Sequence, residues 1–334
     1  MYLNCPRGRD LPTASGNPAC PCHARGSNVD ASGSVSKRHS VLLSRMEQVW
    51  FVTGSSRGFG RALVRAALEA GDLVAATARR PEQLTDLAAE HGDRIHPIAL
   101  DVTDPAAVRS AIAEARDQFG RLDVIVNNAG YANVSPIETT DDQDFRAQFE
   151  TNFWGVYNVS KAAIPVLREQ ASGLVMQFSS TGGRVGGSPG IASYQAAKFA
   201  IDGFSRVLQA ETAPFGVKVI VVEPSGFKTD WAGSSMIVRD IPEAYAATVG
   251  AMNTRVRQNP DGPPGDPVRA AEILVRVAKR RDIPYHLPLG VIAAEASIRL
   301  DEQLLGDDRR WRDVSRSADS GQPYPVEFPP DTAN

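Results

Sequence analysis

Cysteine is nearly missing from this chain. Of 334 residues only Cys5, Cys20 and Cys22 are cysteines, all ahead of residue 23. The core therefore does not rest on disulfides, and the pattern fits a reducing, cytosolic compartment. No apolar run approaches the roughly 20 residues that a membrane-spanning helix needs. Charge of one sign is lacking too: 36 Lys and Arg against 39 Asp and Glu leave a net charge of −3. Neither nucleic acid nor an anionic membrane is an expected partner. Internal repeats are absent, and so are low-complexity linkers after residue 45. What is there, 42% hydrophobic and 22% charged residues, is the composition of an ordinary soluble globular protein. Its length allows one large domain or two small ones, and the even pattern after residue 45 favours one.

Residues 1–45 read differently from the rest. They are rich in Gly, Ser, Pro and Arg, show no helical or strand period, and are expected to be disordered. They contain no apolar stretch of signal-peptide type. Cys20-Pro21-Cys22-His23 lacks the second, separated ligand pair of a zinc site, so no metal is expected. Met46 directly precedes the first strand-like run, which makes residues 1–45 a candidate for a misassigned start.

From Glu47 the pattern is regular. Strand-like runs at Gln48–Thr53, Leu73–Ala78, Ile95–Leu100, Leu122–Asn127, Leu174–Phe178 and Val217–Val222 alternate with helical segments. The helices are expected at Arg61–Ala70, about Glu82–Glu90, Asp104–Phe119, Asp141–Glu169 and from Tyr194 to about Ala213. Such alternation predicts an α/β fold, a Rossmann-like doubly wound parallel sheet of about seven strands with helices on both faces. The catalytic domain is expected over 46–310, with a helix at Val268–Lys279, a last short strand at Tyr285–Leu289 and a helix near Ile298–Leu305. Residues 311–334 are expected as a flexible tail.

Thr53-Gly54-Ser55-Ser56-Arg57-Gly58-Phe59-Gly60 lies at the first strand–helix junction. Its three glycines permit a tight turn and a close backbone approach. A helix then opens with its N–H groups facing a diphosphate. Glycine clusters also make ordinary turns; the junction is what raises this one to a dinucleotide site. The second strand ends Ala78-Arg79-Arg80 without the acid that would hold an unphosphorylated ribose. Arg79, with Arg57 from the loop, suits a 2′-phosphate, so NADP(H) is the preferred cofactor and NAD(H) the lesser possibility.

Tyr194-x-x-x-Lys198 opens a helix after a strand that ends in serines and a glycine-rich loop. Four residues apart, the two side chains share one helical face. A nearby ammonium would lower the phenol's pKa and make Tyr194 a general acid/base. Tyr157-x-x-x-Lys161 has the same spacing but lacks that upstream context, and reads as packing and surface groups.

In order, the chain carries TGSSRGFG (53–60), LDVTD (100–104), NNAG (127–130), Asn152, Ser180, Tyr194-x-x-x-Lys198 and EPSGFKT (223–229). By this thread it resembles the single-domain short-chain dehydrogenase/reductase family over residues 47 to about 290. The resemblance implies catalytic roles for Asn152, Ser180, Tyr194 and Lys198. It places Asp101 and Val102 beside the adenine and Asn128, Ala129 and Gly130 along the cofactor. Pro224, Gly226 and Thr229 would pass the nicotinamide carboxamide, and Tyr194 and Lys198 would also touch the cofactor. Asn128 can equally pin neighbouring strands. The implied activity is NADP(H)-dependent interconversion of a secondary alcohol and a ketone, or a primary alcohol and an aldehyde, in a homodimer or homotetramer. Ser180 to Tyr194 spans fourteen residues, one more than the family's commonest spacing. The extra residue fits the Gly186-Gly187-Ser188 loop, and Ser179 and Thr181 stand as alternative hydroxyls.

The connection from about 231 to 265 borders the substrate in such a fold and reads either as a lid or as a surface excursion. Two other functions stand against oxidoreduction: a silent NADP(H)-binding redox sensor, disfavoured by an intact proton donor, and an epimerase or dehydratase, disfavoured by the short C-terminal part.

Overall fold

The computed structural model describes residues 47–229, 236–257 and 262–331. The expectations for residues 1–45, including the Cys20–His23 cluster, and for Trp231 lie outside the described residues.

The first strand shows how the sequence builds two cores. In β1 (Val49–Val52) every residue is buried, and alternate side chains must face opposite sides of the sheet. Trp50 and Val52 join one cluster with Leu63, Val64, Ala67 and Leu68 of α1 (Gly58–Glu69) and Ala271, Leu274 and Val275 of α8 (Pro267–Ala278). Val49 and Phe51 join the other, with Val108 and Ile112 of α3 (Pro105–Phe119), Val159 and Ala163 of α5 (Gly155–Glu169) and Leu208 of α6 (Ala192–Thr212). Continuous apolar strands covered on both faces are what a parallel sheet requires.

The remaining strands of that sheet are β2 (Leu73–Ala78), β3 (Ile95–Ala99), β4 (Val124–Asn127), β6 (Gly173–Phe178), β7 (Val217–Pro224) and β9 (His286–Leu289). Together the seven run in the order β3-β2-β1-β4-β6-β7-β9, all parallel. The order reverses between β1 and β4, which opens the crevice where such sheets bind ligands. The expected fold is borne out.

Local signals explain the helix starts. Asp104 accepts from the N–H groups of Ala106 (2.8 Å) and Ala107 (3.1 Å), with Pro105 at the first position of α3. Asp266 and Pro267 repeat the arrangement at α8; an oxygen-bearing cap followed by proline is a favoured helix start. The buried Asp72 accepts from Trp50 Nε1 (3.1 Å) and pairs with Lys279 (2.8 Å), tying β1 to the end of α8.

Four differences from the expected elements concern the site. The helix expected over Asp141–Glu169 is α4 (Asp142–Phe149) and α5 joined by a π turn, Glu150–Trp154. The segment near Glu82–Glu90 is a 3-10 turn, Pro81–Leu84, leading into α2 (Thr85–His91). A second, two-stranded parallel sheet pairs β5 (Asn133–Val134) with β8 (Ile237–Val238). Behind β8 a π turn, Ala246–Gly250, runs into α7 (Ala251–Arg257).

The helix expected near Ile298–Leu305 is α9 (Val291–Arg316). It thus passes the position 311 at which a flexible tail was expected, and its Trp311 ring lies 6.0 Å from that of Phe328. Among the described residues no helix is long and apolar enough to cross a membrane, and no cluster of three His, Cys, Asp or Glu could hold a metal.

Candidate active site

The glycine loop joins β1 to α1. Gly54 and Gly58 have φ of +68° and +56°, a region that side-chain-bearing residues avoid. Gly60 is demanded by contact instead: a Cβ there would stand 2.2 Å from the Gly54 carbonyl oxygen. No side chain caps α1 and its first turn holds no acid. Its positive dipole end thus carries no acidic side chain of its own first turn, which fits a diphosphate. Asn128 takes the structural part foreseen for it. Its Nδ2 donates to the carbonyls of Thr53 (2.9 Å) and Gly54 (3.2 Å), while its own N–H donates to Thr53 Oγ1. Ala129 N also donates to Thr53 Oγ1 (3.1 Å), which sets Gly130 beside the catalytic group described below.

Arg79 is exposed at the end of β2. The Tyr131 phenol is pushed up chiefly by burial and then by Asp144. The Arg79 charge and a hydrogen bond to Thr151 oppose that rise. Tyr131 thus stands within the field of Arg79, a neighbour that no sequence signal announced. Asp101 folds its Oδ1 onto Thr103 (2.9 Å to N, 2.8 Å to Oγ1), and the buried Val102 packs against Gly155. The Pro224–Thr229 strip crosses the glycine loop from the other side. A Cβ on Gly58 would lie 3.5 Å from Thr229 Cβ, and the Phe227 ring stacks 4.7 Å from that of Phe59. Gly226, in the same strip, is exposed.

Tyr194 and Lys198 lie on the first turns of α6, 8% and 4% exposed. Burial pushes the Tyr194 phenol up to about 12, with its hydrogen bond to Ser180 pulling the other way. Burial also pushes the Lys198 ammonium down to about 7. Lys198 was expected to lower the Tyr194 pKa. The geometry gives it another partner: Nζ donates to the Phe178 carbonyl (2.6 Å) and sits 5.6 Å from the Tyr194 ring centre. Desolvation, which disfavours both charged forms, is the leading cause of both shifts.

The three candidate hydroxyls separate cleanly. Ser179 Oγ donates to the Lys198 carbonyl (3.0 Å) and Thr181 Oγ1 to the Pro224 carbonyl (3.2 Å). Only Ser180 faces Tyr194, and its Oγ also accepts from Gly182 N (3.0 Å). Gly186 and Gly187, at φ +71° and +73°, carry the longer connection to α6.

Asn152 is fully buried in the π turn. Its Oδ1 accepts from Tyr131 N (3.1 Å), and its Nδ2 donates to the carbonyls of Tyr131 and Gln148 (both 2.8 Å). By these bonds it clasps the Gly130–Tyr131 turn. A Cβ on Gly130 would lie 2.5 Å from Asn152 Oδ1 and 3.6 Å from Lys198 Nζ. Asn152, Lys198 and the turn therefore converge on one spot.

Tyr157 and Lys161 bond each other on exposed α5 (3.2 Å), where Tyr157 packs on Trp154 and Phe204, away from this group. On the substrate side an apolar cluster adjoins Tyr194: Ala132, Val134, Ile191, Met236 and Val249, with Met252 packed against it.

A glycine-loop crevice beside a Ser–Tyr–Lys group on a doubly wound sheet defines a dinucleotide-dependent oxidoreductase. The chain belongs to the short-chain dehydrogenase family, whose "short chain dehydrogenase" model matches residues 48–237. It is similar to oxidoreductase BOA17 of Botryotinia fuckeliana, 48% identical over 271 residues, 81% of this chain and 98% of that protein. A short-chain dehydrogenase from Streptomyces avermitilis superposes with a TM-score of 0.76 at 38% identity, over 83% of this chain and all of that one. A short-chain dehydrogenase from Burkholderia cenocepacia, solved in complex with NADP, superposes with a TM-score of 0.63 at 27% identity, over 79% and 97%.

Proposed function

We propose that this chain is an NADP(H)-dependent oxidoreductase that interconverts a secondary alcohol and a ketone, or a primary alcohol and an aldehyde. The single observation behind the reading is the hydrogen-bonded Ser180–Tyr194 pair, backed by a buried Lys198 on the same helical face. When bound, the nicotinamide cofactor supplies or accepts the hydride. Tyr194, a neutral phenol at physiological pH, donates its proton to the substrate carbonyl oxygen. Ser180 orients that oxygen by its hydroxyl. Lys198, buried with a pKa of about 7, takes up and releases a proton near neutrality and so restores the proton that Tyr194 gives away.

The glycine loop and the start of α1 suit the diphosphate, and Arg79 at the end of β2 suits a 2′-phosphate; the similar Burkholderia protein was solved in complex with NADP. The apolar cluster beside Tyr194 favours an uncharged, apolar carbonyl compound. A homodimer or homotetramer is expected, and the exposed Trp154, whose ring packs against Tyr157, is a suitable contact for it.

A screen of aliphatic ketones, aryl ketones and α-diketones, followed by NADPH absorbance with NADH in parallel, tests the reading. Turnover that vanishes in Tyr194→Phe supports it. Tight NADPH binding with no oxidation across the panel would sink it in favour of a cofactor-binding sensor.

A further inference from the structure

Ser180 is the N-cap of a 3-10 turn, Thr181–Gly183, and the residue that closes this turn is Arg184. The Arg184 guanidinium reaches two other elements at once. Its Nη1 donates to Glu223 Oε2 (3.2 Å) near the end of β7, and its Nη2 to Asp301 Oδ2 (2.6 Å) on α9.

Glu223 is 1% exposed and immediately precedes Pro224, where the chain turns toward the glycine loop. A carboxylate buried that deeply requires a cation or strong donors, and losing one partner is costly. Its other oxygen is held by His286 Nδ1 of β9 at 2.6 Å. His286 Nε2 in turn faces Arg206 (2.9 Å) and Asp202 (3.3 Å) on α6. Arg184 is the permanently charged member of that set in direct contact with Glu223.

The far side of the loop is held separately: Ser188 N donates to Gln195 Oε1 (3.3 Å), and Gln195 adjoins Tyr194 on α6. The loop between Ser180 and Tyr194 is thus pinned at both ends. Two left-handed glycines sit between the pins. Helix α9, whose buried residues are Ala293 and Ser297 alone, meets the start of that loop through Asp301.

We propose that Arg184 is a positioning residue for the reaction: by clamping the Thr181–Gly183 turn to Glu223 and Asp301, it holds the Ser180 hydroxyl on Tyr194. The inference rests on the catalytic reading of Ser180 and Tyr194 given above. Arg184 touches neither substrate nor cofactor in this role. Its removal frees the turn and lets Ser180 drift from the reacting oxygen.

Two measurements test it on the full chain. In the first, kcat and KM are measured for Arg184→Gln in the Ser180 and Ser180→Ala backgrounds, with NADPH and the panel ketone of highest turnover. Misplacing a positioned group by about 1 Å costs up to about 100-fold. The expectation is a kcat lower by about 10-fold in the Ser180 background, an unchanged KM for NADPH, and no further loss when Ser180 is already alanine. An equal loss in both backgrounds, or none in either, overturns the proposal.

The second needs no substrate. Hydrogen exchange followed by mass spectrometry should rise across residues 180–188 in Arg184→Gln and, more weakly, in Asp301→Asn, with residues 49–60 unchanged. Asp301 is half exposed, so its substitution does not threaten folding. Unaltered exchange at 180–188 in both variants overturns the clamp. If no ketone of the panel is turned over while exchange rises as described, the oxidoreductase reading fails and the clamp stands.

Discussion

The cofactor half and the substrate half of the crevice are held by different means. On the cofactor side the fixing contacts are backbone and steric. Gly60 leaves no room for a Cβ against the Gly54 carbonyl, Asn128 and Thr53 stitch β1 to β4, and both sheet faces are packed solid. On the Tyr194 side a small apolar cluster around Val134, Met236 and Val249 is held by short elements: two ladder pairs between β5 and β8, the Arg239–Asp144 ion pair (3.4 Å) and a Tyr245–Glu138 hydrogen bond. Close packing transmits any added volume as strain, whereas few buried contacts and exposed hydrogen bonds mark segments that open locally. The glycine-loop half is therefore expected to tolerate added volume less than the β5–β8 half.

The largest expected effect crosses this divide without disturbing either half. Tyr194→Phe should lower kcat by roughly 10³-fold, the size of a lost general acid, while NADPH affinity measured by fluorescence titration stays within about three-fold.

Next comes the contrast between two glycines. Gly60→Ala should cost about 2–4 kcal/mol of unfolding free energy in a denaturant titration, since the methyl group meets backbone. Gly187→Ala, left-handed but open to solvent, should cost only about 1 kcal/mol. Equal costs would erase the proposed difference in tightness.

Arg79→Ala should cut the preference for NADPH over NADH by about 10-fold, as expected for a lost charge-assisted contact of ~1.5 kcal/mol. Unchanged preference would remove the argument for NADP(H).

The last contrast is in pH. Lys198 binds its proton more weakly folded than unfolded, with a folded pKa of about 7 against 10.5. The unfolded chain therefore holds more protons between those values, and stability rises with pH across that window. Tyr194, raised from 10.0 to about 12, reverses the slope above pH 10. Melting temperatures from pH 7 to 9 should climb in the wild type and climb less in Lys198→Met. Parallel profiles would show that the burial of Lys198 is not felt energetically.

The parts of this molecule that were legible in its sequence are those set by local rules. Buried strands such as VWFV and VKVIVV announce themselves by unbroken apolar runs, and Asp104-Pro105 marks its helix start by capping chemistry. The TGSSRGFG junction could be placed because strand, glycines and helix follow one another along the chain. The parts that were not legible depend on distant partners. β5 and β8 are two residues each, too short to show a period of two, and they exist through pairing with each other across a hundred positions. The π turn lies inside a segment whose composition is ordinary helix, and its cause is Asn152 reaching Tyr131. The choice among Ser179, Ser180 and Thr181 was open because alternation excludes one neighbour without naming which. Burial of Tyr194 and Lys198 by the surrounding elements, which decides their proton affinities, cannot be read from a four-residue spacing.

The π turn at 150–154 has a further consequence in helical phase. A regular helix advances about 100° per residue, and a π turn carries one residue more than an α turn. The faces of α4 and α5 are thereby offset by one residue. The buried Gln148 of α4 and the buried Val156, Val159, Ala163 and Leu167 of α5 therefore belong to stripes in different phases. The extra residue is a change of gear between two helices that would otherwise run as one.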